Sequence, residues 1–401
     1  METFDENAAV PLAGVRVLDL TRLVAGNMLT LQLADMGADV IKIEPKGKGD
    51  PLRAWTDAGV EAFWKVYCRN KRSLALDFRA EGARDMLLRL AESADVLVEN
   101  FRPGRMEEIG LGPDDLAAAN PKLVMVRVSG FGQTGPYRKR PGFGSLVEAM
   151  SGFASRNGFP DRPPLLPPLA LADMIAGLQG AFATMVALRE VELKGGKGQV
   201  IDLSLLEPIL STLGPEAYIH SLTGQVKERV GNRSNTSAPR DVYMTRDGGA
   251  IALSASIQAM AERLFKVIGR EDMITDPKFA TNAARVANRD EVNDIVAGWI
   301  GARDRDAVLE IFTAAGVTGA PIYDVTDIVA DPHVQGRGIL VDLPDADTET
   351  ATHHNIHPRL SETPGRFRRP APALGEHTDD VLAAAGFSPD DIGDLRAKGV
   401  I

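Results

Sequence analysis

The chain has 401 residues, of which 44% are hydrophobic and 25% charged, as expected for a globular protein large enough for two domains. Its formal net charge of −10 argues against non-specific binding to nucleic acid, and its single cysteine, Cys68, excludes a disulfide within the chain. No uninterrupted apolar run reaches the roughly 18 residues that span a bilayer. We therefore expect a cytoplasmic protein with neither a nucleic-acid nor a membrane partner.

The first segments predict a parallel strand–helix–strand unit. Residues 14–20, GVRVLDL, are typical of a buried strand, residues 21–37 of a loop and a helix that ends at Gly37, and residues 39–44, DVIKIE, of a second strand. Such a unit has a right-handed crossover, and ligands bind outside the carboxyl ends of its strands. We therefore expect residues 23–26 and Glu44–Pro45 to lie near a candidate site.

Further strands are predicted at 74–78, 95–100 and 123–129, with an amphipathic helix at Glu81–Ala91. The loop that follows the last of these strands is rich in Gly and Pro and leads into a basic cluster, Arg138, Lys139 and Arg140. Lys71 and Arg72 precede the first of these strands. That pair is equally compatible with a solvated surface and with a phosphate clamp.

A proline-rich run at 159–168 changes abruptly into a long helical stretch at Leu171. Asp173 stands at this junction, and we expect it to be the N-cap, with its carboxylate ionised at the positive end of the helix. Gly177 and Gly180 weaken a helix, so they predict close approach by another backbone or a ligand. The junction is compatible with a simple capped helix and with an anion-binding site.

The second half of the chain predicts a smaller domain. The composition turns polar at 223–235, residues 242–245 and 250–254 predict a β-hairpin, and residues 259–315 predict short helices. A return strand is expected at 320–325. We predict a large domain from residues 1–225 and 326–401, and a small domain from residues 226–325.

Two familiar kinds of site do not fit. Glu44 ends the second strand as a ribose-binding acid would, but the preceding turn, LTRLVAGN, has no G-x-G-x-x-G to cradle a dinucleotide. His353, His354 and His357 lie close together in sequence without a second cluster to complete a ligand set, so we expect no metal site.

The order of motifs resembles the class III CoA-transferases, the family of formyl-CoA transferase and carnitine CoA-transferase that also includes the α-methylacyl-CoA racemases. The segments that carry the resemblance run from the first strand to the last residue: GVRVLDLTRLVAG, LADMGADVIKIEP, NKRSLALDF, ADVLVENFRPGRMEEIGLG, SGFGQTGPY, LADMIAGLQGAF, GQVIDLSL, LGEHTDDVLAAAGF and LRAKGVI.

The resemblance implies an α/β fold, with a Rossmann-like large domain made of both chain ends and a smaller α+β domain, in a homodimer of interlocked rings. It implies a CoA-transferase that moves CoA from an acyl-CoA donor to a carboxylic acid. Asp173 would be the nucleophile, forming an aspartyl mixed anhydride and then an aspartyl-CoA thioester. Coenzyme A would enter as a thioester substrate, with no tightly bound cofactor.

The resemblance also implies contacts with CoA, and the residues at the matching positions are Val24, Ala25, Lys71, Arg72, Asn100, Phe101, Lys139 and Arg140. Pro45 stands where formyl-CoA transferase has an arginine, with Lys46 or Lys48 as substitutes for that contact. Phe143 stands where the racemases carry a histidine, and because phenylalanine carries no proton this favours transfer over racemisation.

Three readings of the function stay open at this stage: the transferase, an acyl-CoA racemase or isomerase on the same scaffold, and a non-catalytic CoA-binding subunit. Arg233 and Arg240 lie at the start of the predicted small domain. An arginine there would hold a second carboxylate bidentately, which predicts a dicarboxylic acceptor such as succinate, malate or mesaconate. Contacts with CoA or with a second subunit explain these arginines equally well.

Overall fold

The computed structural model describes residues 2–401, which form two compact units. The first unit contains the chain up to Phe153, Pro167–Gly214 and Gly338–Ile401. The second contains Ala154–Leu166 and Pro215–Arg337. The limits expected for the small domain, 226 and 325, lie inside those of the second unit, which also takes in a short segment before the long helix.

Within residues 2–401 the strands are β1 (Arg16–Asp19), β2 (Asp39–Pro45), β3 (Lys71–Leu76), β4 (Val96–Glu99), β5 (Val124–Ser129), β6 (Val200–Ser204), β7 (Arg240–Met244), β8 (Ala250–Ser254), β9 (Gly319–Pro321), β10 (Leu340–Asp345) and β11 (Glu349–His354).

The α-helices of the same range are α1 (Leu23–Asp35), α2 (Ala62–Tyr67), α3 (Ala83–Ala91), α4 (Arg105–Glu108), α5 (Pro113–Ala119), α6 (Gly144–Met150), α7 (Phe153–Arg156), α8 (Leu171–Lys194), α9 (Leu206–Ser211), α10 (Glu216–Thr223), α11 (Gln258–Val267), α12 (Asn282–Ala287), α13 (Arg289–Gly301), α14 (Arg305–Ala315), α15 (Val325–Ala330), α16 (Pro332–Arg337), α17 (Thr378–Ala384) and α18 (Pro389–Ala397). Short 3-10 helices lie at Pro51–Ala54 and Glu271–Ile274.

The first unit is built on a six-stranded parallel sheet with the order β3-β2-β1-β4-β5-β6. The predicted strand–helix–strand unit is confirmed, because β1 pairs in parallel with β2, with Arg16 opposite Asp39. Strands β2 and β3 extend the sheet on one side of β1, and β4, β5 and β6 extend it on the other, so the strand order reverses between β1 and β4. The loops leaving the carboxyl ends of these two strands therefore diverge and open a crevice, the usual ligand site of such a sheet.

Apolar side chains cover both faces of this sheet, because successive residues of a strand point to opposite sides. Val17, Val40 and Val96 lie in the core formed with α1 and α8. Leu18, Ile41 and Leu97 lie in the core formed with α3, α5, α17 and α18. The sheet is therefore a rigid platform, and the loops at its carboxyl edge are free to carry function.

Helix α8 packs closely along α1. A Cβ atom at Gly177 would lie 2.8 Å from the side chain of Met28 and 3.0 Å from the carbonyl oxygen of Ala25, and one at Gly180 would lie 2.5 Å from Leu29. The predicted close approach of another backbone is confirmed for Gly177, whereas Gly180 meets only the side chains of Leu29 and Leu203. The missing side chains of these two glycines let α8 lie close against α1.

Helix α8 is also long and apolar enough to cross a membrane by length and composition. Such a match is weak evidence, because the core helix of a globular protein passes the same test. Ala172, Ala176 and Ala181 of this helix are buried in the core beside α1.

The second unit contains a three-stranded antiparallel sheet, β7-β8-β9. The predicted hairpin is confirmed, with Tyr243 opposite Ile251. The strand expected at 320–325 is shorter, because it ends at Pro321 and Asp324 caps α15 by accepting the N–H groups of Thr326 and Asp327.

Gly177→Ala should lower the free energy of unfolding by about 1–3 kcal/mol, because the added methyl group forces α8 away from α1. Thermal unfolding measures the change. Gly393→Ala in α18 is the matched control, since a Cβ there meets nothing within 4 Å, and it should leave stability equal or higher. Equal melting temperatures for both variants would contradict the packing described for Gly177.

Candidate active site

A buried cluster of two aspartates and two lysines lies beneath the first turn of α1. Lys42 Nζ is 3.2 Å from Asp19 and 3.1 Å from Asp50, and Lys71 Nζ is 3.4 Å from the other oxygen of Asp19. Burial alone would raise the pKa of Asp19, but the two lysines hold it well below its usual value. Each buried charge thus has a partner, as stable burial of ions requires.

Asp50 connects this cluster to the backbone of α1. One of its oxygens accepts the N–H of Leu23 at 2.9 Å, and the other accepts the side-chain amide of Asn27 at 2.8 Å. Leu23 has a φ of +64°, a left-handed conformation that costs a non-glycine residue about 1 kcal/mol or more. The cluster therefore holds a strained turn that fixes where α1 begins.

Asp173 lies in the first turn of α8, opposite this turn of α1. The N-cap of α8 is Ala170, so the prediction that Asp173 caps the helix is wrong: Asp173 is the third helical residue, because helical backbone already begins at Leu171. Burial and then the neighbouring Glu148 raise the pKa of Asp173 from 3.8 to about 6, while the backbone amides of Asp173 and Ala25 act in the opposite direction. The carboxylate is thus ionised at neutral pH but less stable than an exposed one.

The carboxylate of Asp173 fits against the start of α6. A Cβ at Gly144 would lie 2.0 Å from Asp173 Oδ2. Glycine at this position therefore makes room for the carboxylate, and any side chain there would displace it.

A cleft of about 330 Å³ opens over Asp173 at the carboxyl edge of the sheet. Its walls come from the loops after β1, β4 and β5, and its lining includes Leu23, Ala25, Asn100, Phe101, Gly142 and Phe143. The cleft therefore stands at the crevice where the strand order reverses, as expected for a ligand site in this type of sheet.

Asn100 joins two walls of the cleft. Its side-chain oxygen accepts the N–H of Arg22 at 3.0 Å, and its amide group donates to the Arg22 carbonyl at 2.8 Å. The Arg22 guanidinium lies 5.4 Å from the centre of the Phe101 ring. The loops after β1 and β4 are thus held as one surface.

Four arginines line the cleft: Arg22, Arg102, Arg138 and Arg140. Within residues 2–401 none of them forms an ion pair, although Arg140 stacks on Tyr137 at 3.7 Å. All four are exposed, whereas buried or half-buried arginines of this unit such as Arg53, Arg69 and Arg127 pair with a carboxylate. The cleft of this acidic protein is therefore prepared for an anion.

Several residues predicted for the site are not brought to this cleft. Val24 packs with Leu52, Trp64 and Cys68 in a small apolar cluster. The amine of Lys71 is buried in the ion cluster. Arg72 binds Asp39 at the amino edge of the sheet, 2.8 Å from one carboxylate oxygen. Lys139 is exposed between Arg138 and Arg140 but does not itself line the cleft.

Arg233 and Arg240 lie in the second unit. Arg233 pairs with Asp241 at 2.8 Å and also with Asp290, so its positive charge is already compensated. Arg240 is exposed at the first position of β7 and has no carboxylate partner within the described part of the chain.

The histidines and the larger cavity of the first unit do not form a comparable site. His353 is buried, and within residues 2–401 no group of three histidine, cysteine or acidic side chains is placed to hold a metal ion. A cavity of about 1070 Å³ lies between the segments around Lys65, Asp345 and Pro372. Two lysines line it: Lys65 Nζ is 2.6 Å from Asp345, whereas the exposed Lys48 forms no ion pair within residues 2–401.

Arg22, Gly144 and Glu148 were not among the residues predicted for the site. Arg22 directly precedes a predicted helix at the carboxyl end of β1, and that position alone pointed to the ligand edge. Glu148 stands between apolar residues in SLVEAM, so an acid on the buried side of a short helix was a detectable signal.

Comparisons with known proteins agree with this architecture. The family model for CoA-transferase family III matches residues 12–378. A succinyl-CoA–D-citramalate CoA-transferase from Chloroflexus aurantiacus is 40% identical, covering 98% of both chains, and the β subunit of a succinyl-CoA–L-malate CoA-transferase from the same organism is 39% identical over 98% of both. A crystal structure of a CaiB/BaiF family protein from Brucella suis superposes with a TM-score of 0.82 at 32% identity, covering 94% of this chain and 100% of that one.

The parallel sheet with its cleft at the strand-order reversal defines a mixed α/β protein with a half-buried carboxylate, Asp173, in that cleft. The chain belongs to CoA-transferase family III.

Asp173→Asn should stabilise the protein at pH 8. The pKa of Asp173 is higher in the folded state, about 6, than its ordinary 3.8. The native state thus binds more protons between these values, and the stability that goes with the proton is lost as pH rises through about 6. The neutral amide avoids this loss, so we expect a gain of roughly 1–2 kcal/mol at pH 8 and none below about pH 4.

Thermal unfolding at several pH values measures this gain. The exposed Asp161→Asn is the control, for which no such dependence is expected. A gain that does not change with pH would contradict the raised pKa.

Proposed function

We propose that this enzyme moves CoA from an acyl-CoA donor to a dicarboxylic acid, with Asp173 as the nucleophile. The proposal rests above all on a half-buried carboxylate in a cleft whose arginines have no acidic partners. An acyl-CoA carries several negative charges on its phosphates, so unpaired guanidinium groups suit it.

The chemistry proceeds by exchange on the aspartyl carbonyl. The Asp173 carboxylate attacks the thioester, which forms a mixed anhydride and releases CoA thiolate. The thiolate attacks the aspartyl carbonyl, giving an aspartyl-CoA thioester and the first free acid. The acceptor carboxylate then displaces CoA to form a second anhydride, and CoA attacks its acyl carbonyl to release the new thioester and free Asp173.

Backbone amides stabilise the charge that develops in these steps. The Ala25 amide belongs to the first turn of α1, where N–H groups have no partner within the helix. It already acts on the Asp173 carboxylate. When the carbonyl of Asp173 becomes tetrahedral, the same amide donates to its oxyanion, so a group held by the strained Leu23 turn contributes directly to catalysis.

The CoA chain follows the surface made by Asn100 and Phe101, with the phosphates met by Arg102, Arg138 and Arg140. Arg22 holds the distal carboxylate of the acceptor, since it is three residues from Ala25 and Asn100 fixes its backbone on both sides. The names of two relatives specify citramalate and malate, both dicarboxylates, and succinyl-CoA as the donor. These names favour succinyl-CoA and a dicarboxylic acceptor here as well.

We further propose a cytoplasmic homodimer with interlocked subunits. Helix α8 carries an apolar stripe that its own unit leaves uncovered, formed by Leu178, Phe182 and Val186, with Phe182 72% exposed. Exposed stripes of this kind mark protein–protein interfaces. Relatives are named as α and β subunits of a CoA-transferase, so assembly with a different chain is the alternative arrangement.

Incubation of the protein with succinyl-CoA should produce a covalent adduct on Asp173 with the mass of CoA less water. Asp173→Asn should form no adduct, and its rate of CoA transfer should fall about 10³-fold or more. Like the wild type, it should still sediment at the mass of two chains. Intact-mass spectrometry and analytical ultracentrifugation provide the readouts.

The same reaction in D2O tests the racemase alternative. Transfer gives new thioesters without deuterium, and Phe143 at the cleft provides no proton carrier. Deuterium at the α-carbon without exchange of acids would overturn the proposal, and binding of CoA without turnover would support the non-catalytic subunit.

Arg22→Gln should reduce kcat/KM for succinate about 10–100-fold and for butyrate much less, because only succinate has a second carboxylate to lose its charged hydrogen bond. Arg240→Gln, in the second unit, is the matched variant and the alternative reader of that carboxylate. Loss of succinate preference in Arg240→Gln but not in Arg22→Gln would transfer the role to Arg240.

A further inference from the structure

Glu148 is a buried acid without a cation. It is 2% exposed in the middle of α6. The other buried acids of this unit each pair with a lysine or arginine: Asp19, Asp35, Glu44, Asp50 and Glu99. Within residues 2–401 no such partner is present for Glu148. An unpaired buried carboxylate lowers stability, so its presence beside a reactive group calls for a functional reason.

Glu148 and Asp173 face the same point. The position of a Cβ on Gly144 would be 2.0 Å from Asp173 Oδ2 and 3.9 Å from Glu148 Oε1. Glu148 Oε1 also accepts the N–H of Ala172 at 3.0 Å, so it is held against the first turn of α8. Two carboxylates thus lie close together, Glu148 buried and Asp173 half-buried at the cleft, and no lysine or arginine within residues 2–401 bridges them.

We propose that Glu148 is a positioning residue that repels the free Asp173 carboxylate and thereby favours the acylated forms of the enzyme. In the anhydride and in the aspartyl-CoA thioester Asp173 carries no charge, since the negative charge leaves on the CoA thiolate or on the released acid. Forming either species therefore relieves the repulsion. This inference rests on the proposed function, because it needs Asp173 to be acylated.

The surroundings of Asp173 agree with this role. Burial raises the pKa of Asp173 first, and Glu148 is the charged group that adds to the rise, whereas the other influences are the amides of Asp173 and Ala25. Arg138 and Arg140 face the same cleft from the loop after β5, where CoA phosphates occupy them in the proposed complex, and Arg22 faces it from the start of α1. With the arginines occupied by phosphates, the repulsion between Glu148 and Asp173 therefore acts on the free Asp173 carboxylate, the form that attacks the thioester.

A purely structural role for Glu148 makes a different prediction. If Glu148 serves only to bind the Ala172 amide, glutamine would replace it without loss, because its side-chain oxygen accepts the same hydrogen bond. Glu148→Gln therefore separates the charge from the hydrogen bond. Glu148→Met, which is also uncharged and of similar volume, is a second neutral variant in case the first does not fold.

The experiment measures the Asp173–CoA adduct at equilibrium with fixed concentrations of succinyl-CoA and succinate, using intact-mass spectrometry. We expect the ratio of adduct to free enzyme to fall about 3–10-fold in Glu148→Gln. The acid limb of the pH profile of kcat/KM should also move to lower pH by about half a unit or more. Glu207→Gln is the matched control, an exposed acid at the start of α9 whose loss should change neither quantity.

An unchanged adduct ratio and an unchanged acid limb in a folded Glu148→Gln variant would overturn this inference and leave Glu148 with a structural role. Absence of any adduct in the wild-type protein would instead overturn the proposed function. The two failures are therefore distinguishable in one set of spectra.

Discussion

The first unit depends on the charge-balanced cluster of Asp19, Lys42, Asp50 and Lys71 inside its sheet. Removing one member would leave an uncompensated charge in a dry interior, which costs several kcal/mol. The cluster does more than neutralise itself, because Asp50 binds the backbone of Leu23 and keeps that residue in a left-handed conformation. Where α1 begins, and where its free amides point, is thus decided by ion pairs below it.

The site results from two helices that begin beside each other. Gly177 lets α8 approach α1 closely enough for the Ala25 amide to act on Asp173, and Gly144 leaves room for the carboxylate on its other side. The acidic side chains of the first unit fall into two groups that differ in whether a basic side chain pairs with them. The acids buried in the scaffold are paired with lysines or arginines, whereas Asp173 and Glu148 have only each other as charged neighbours, which raises the pKa of Asp173.

Much of this arrangement was predictable from local patterns. Strand and helix periodicity located the parallel unit, the hairpin of the second unit and the long helix at Leu171. The rule for ligands in parallel sheets located the loop after β1, whereas Glu44–Pro45 after β2, which it also indicated, do not line the cleft. The ion pair of Lys71 and the position of Asp173 within α8 were harder to predict. A lysine at the start of a strand is expected to be exposed unless the structure shows a buried partner for it. The helix of Asp173 begins two residues before this residue rather than directly after it.

The sequence by itself determined which segments are strands and helices, that glycines mark a close contact on α8, and that Asp173 stands at the start of that helix, since these follow from the spacing of residues along the chain. Only the tertiary structure decided that Lys71 forms an ion pair with Asp19, that Arg22 lines the cleft and that Glu148 faces Asp173. These are contacts between segments far apart in sequence, and whether a charge is paired or left alone depends on such contacts rather than on any local pattern.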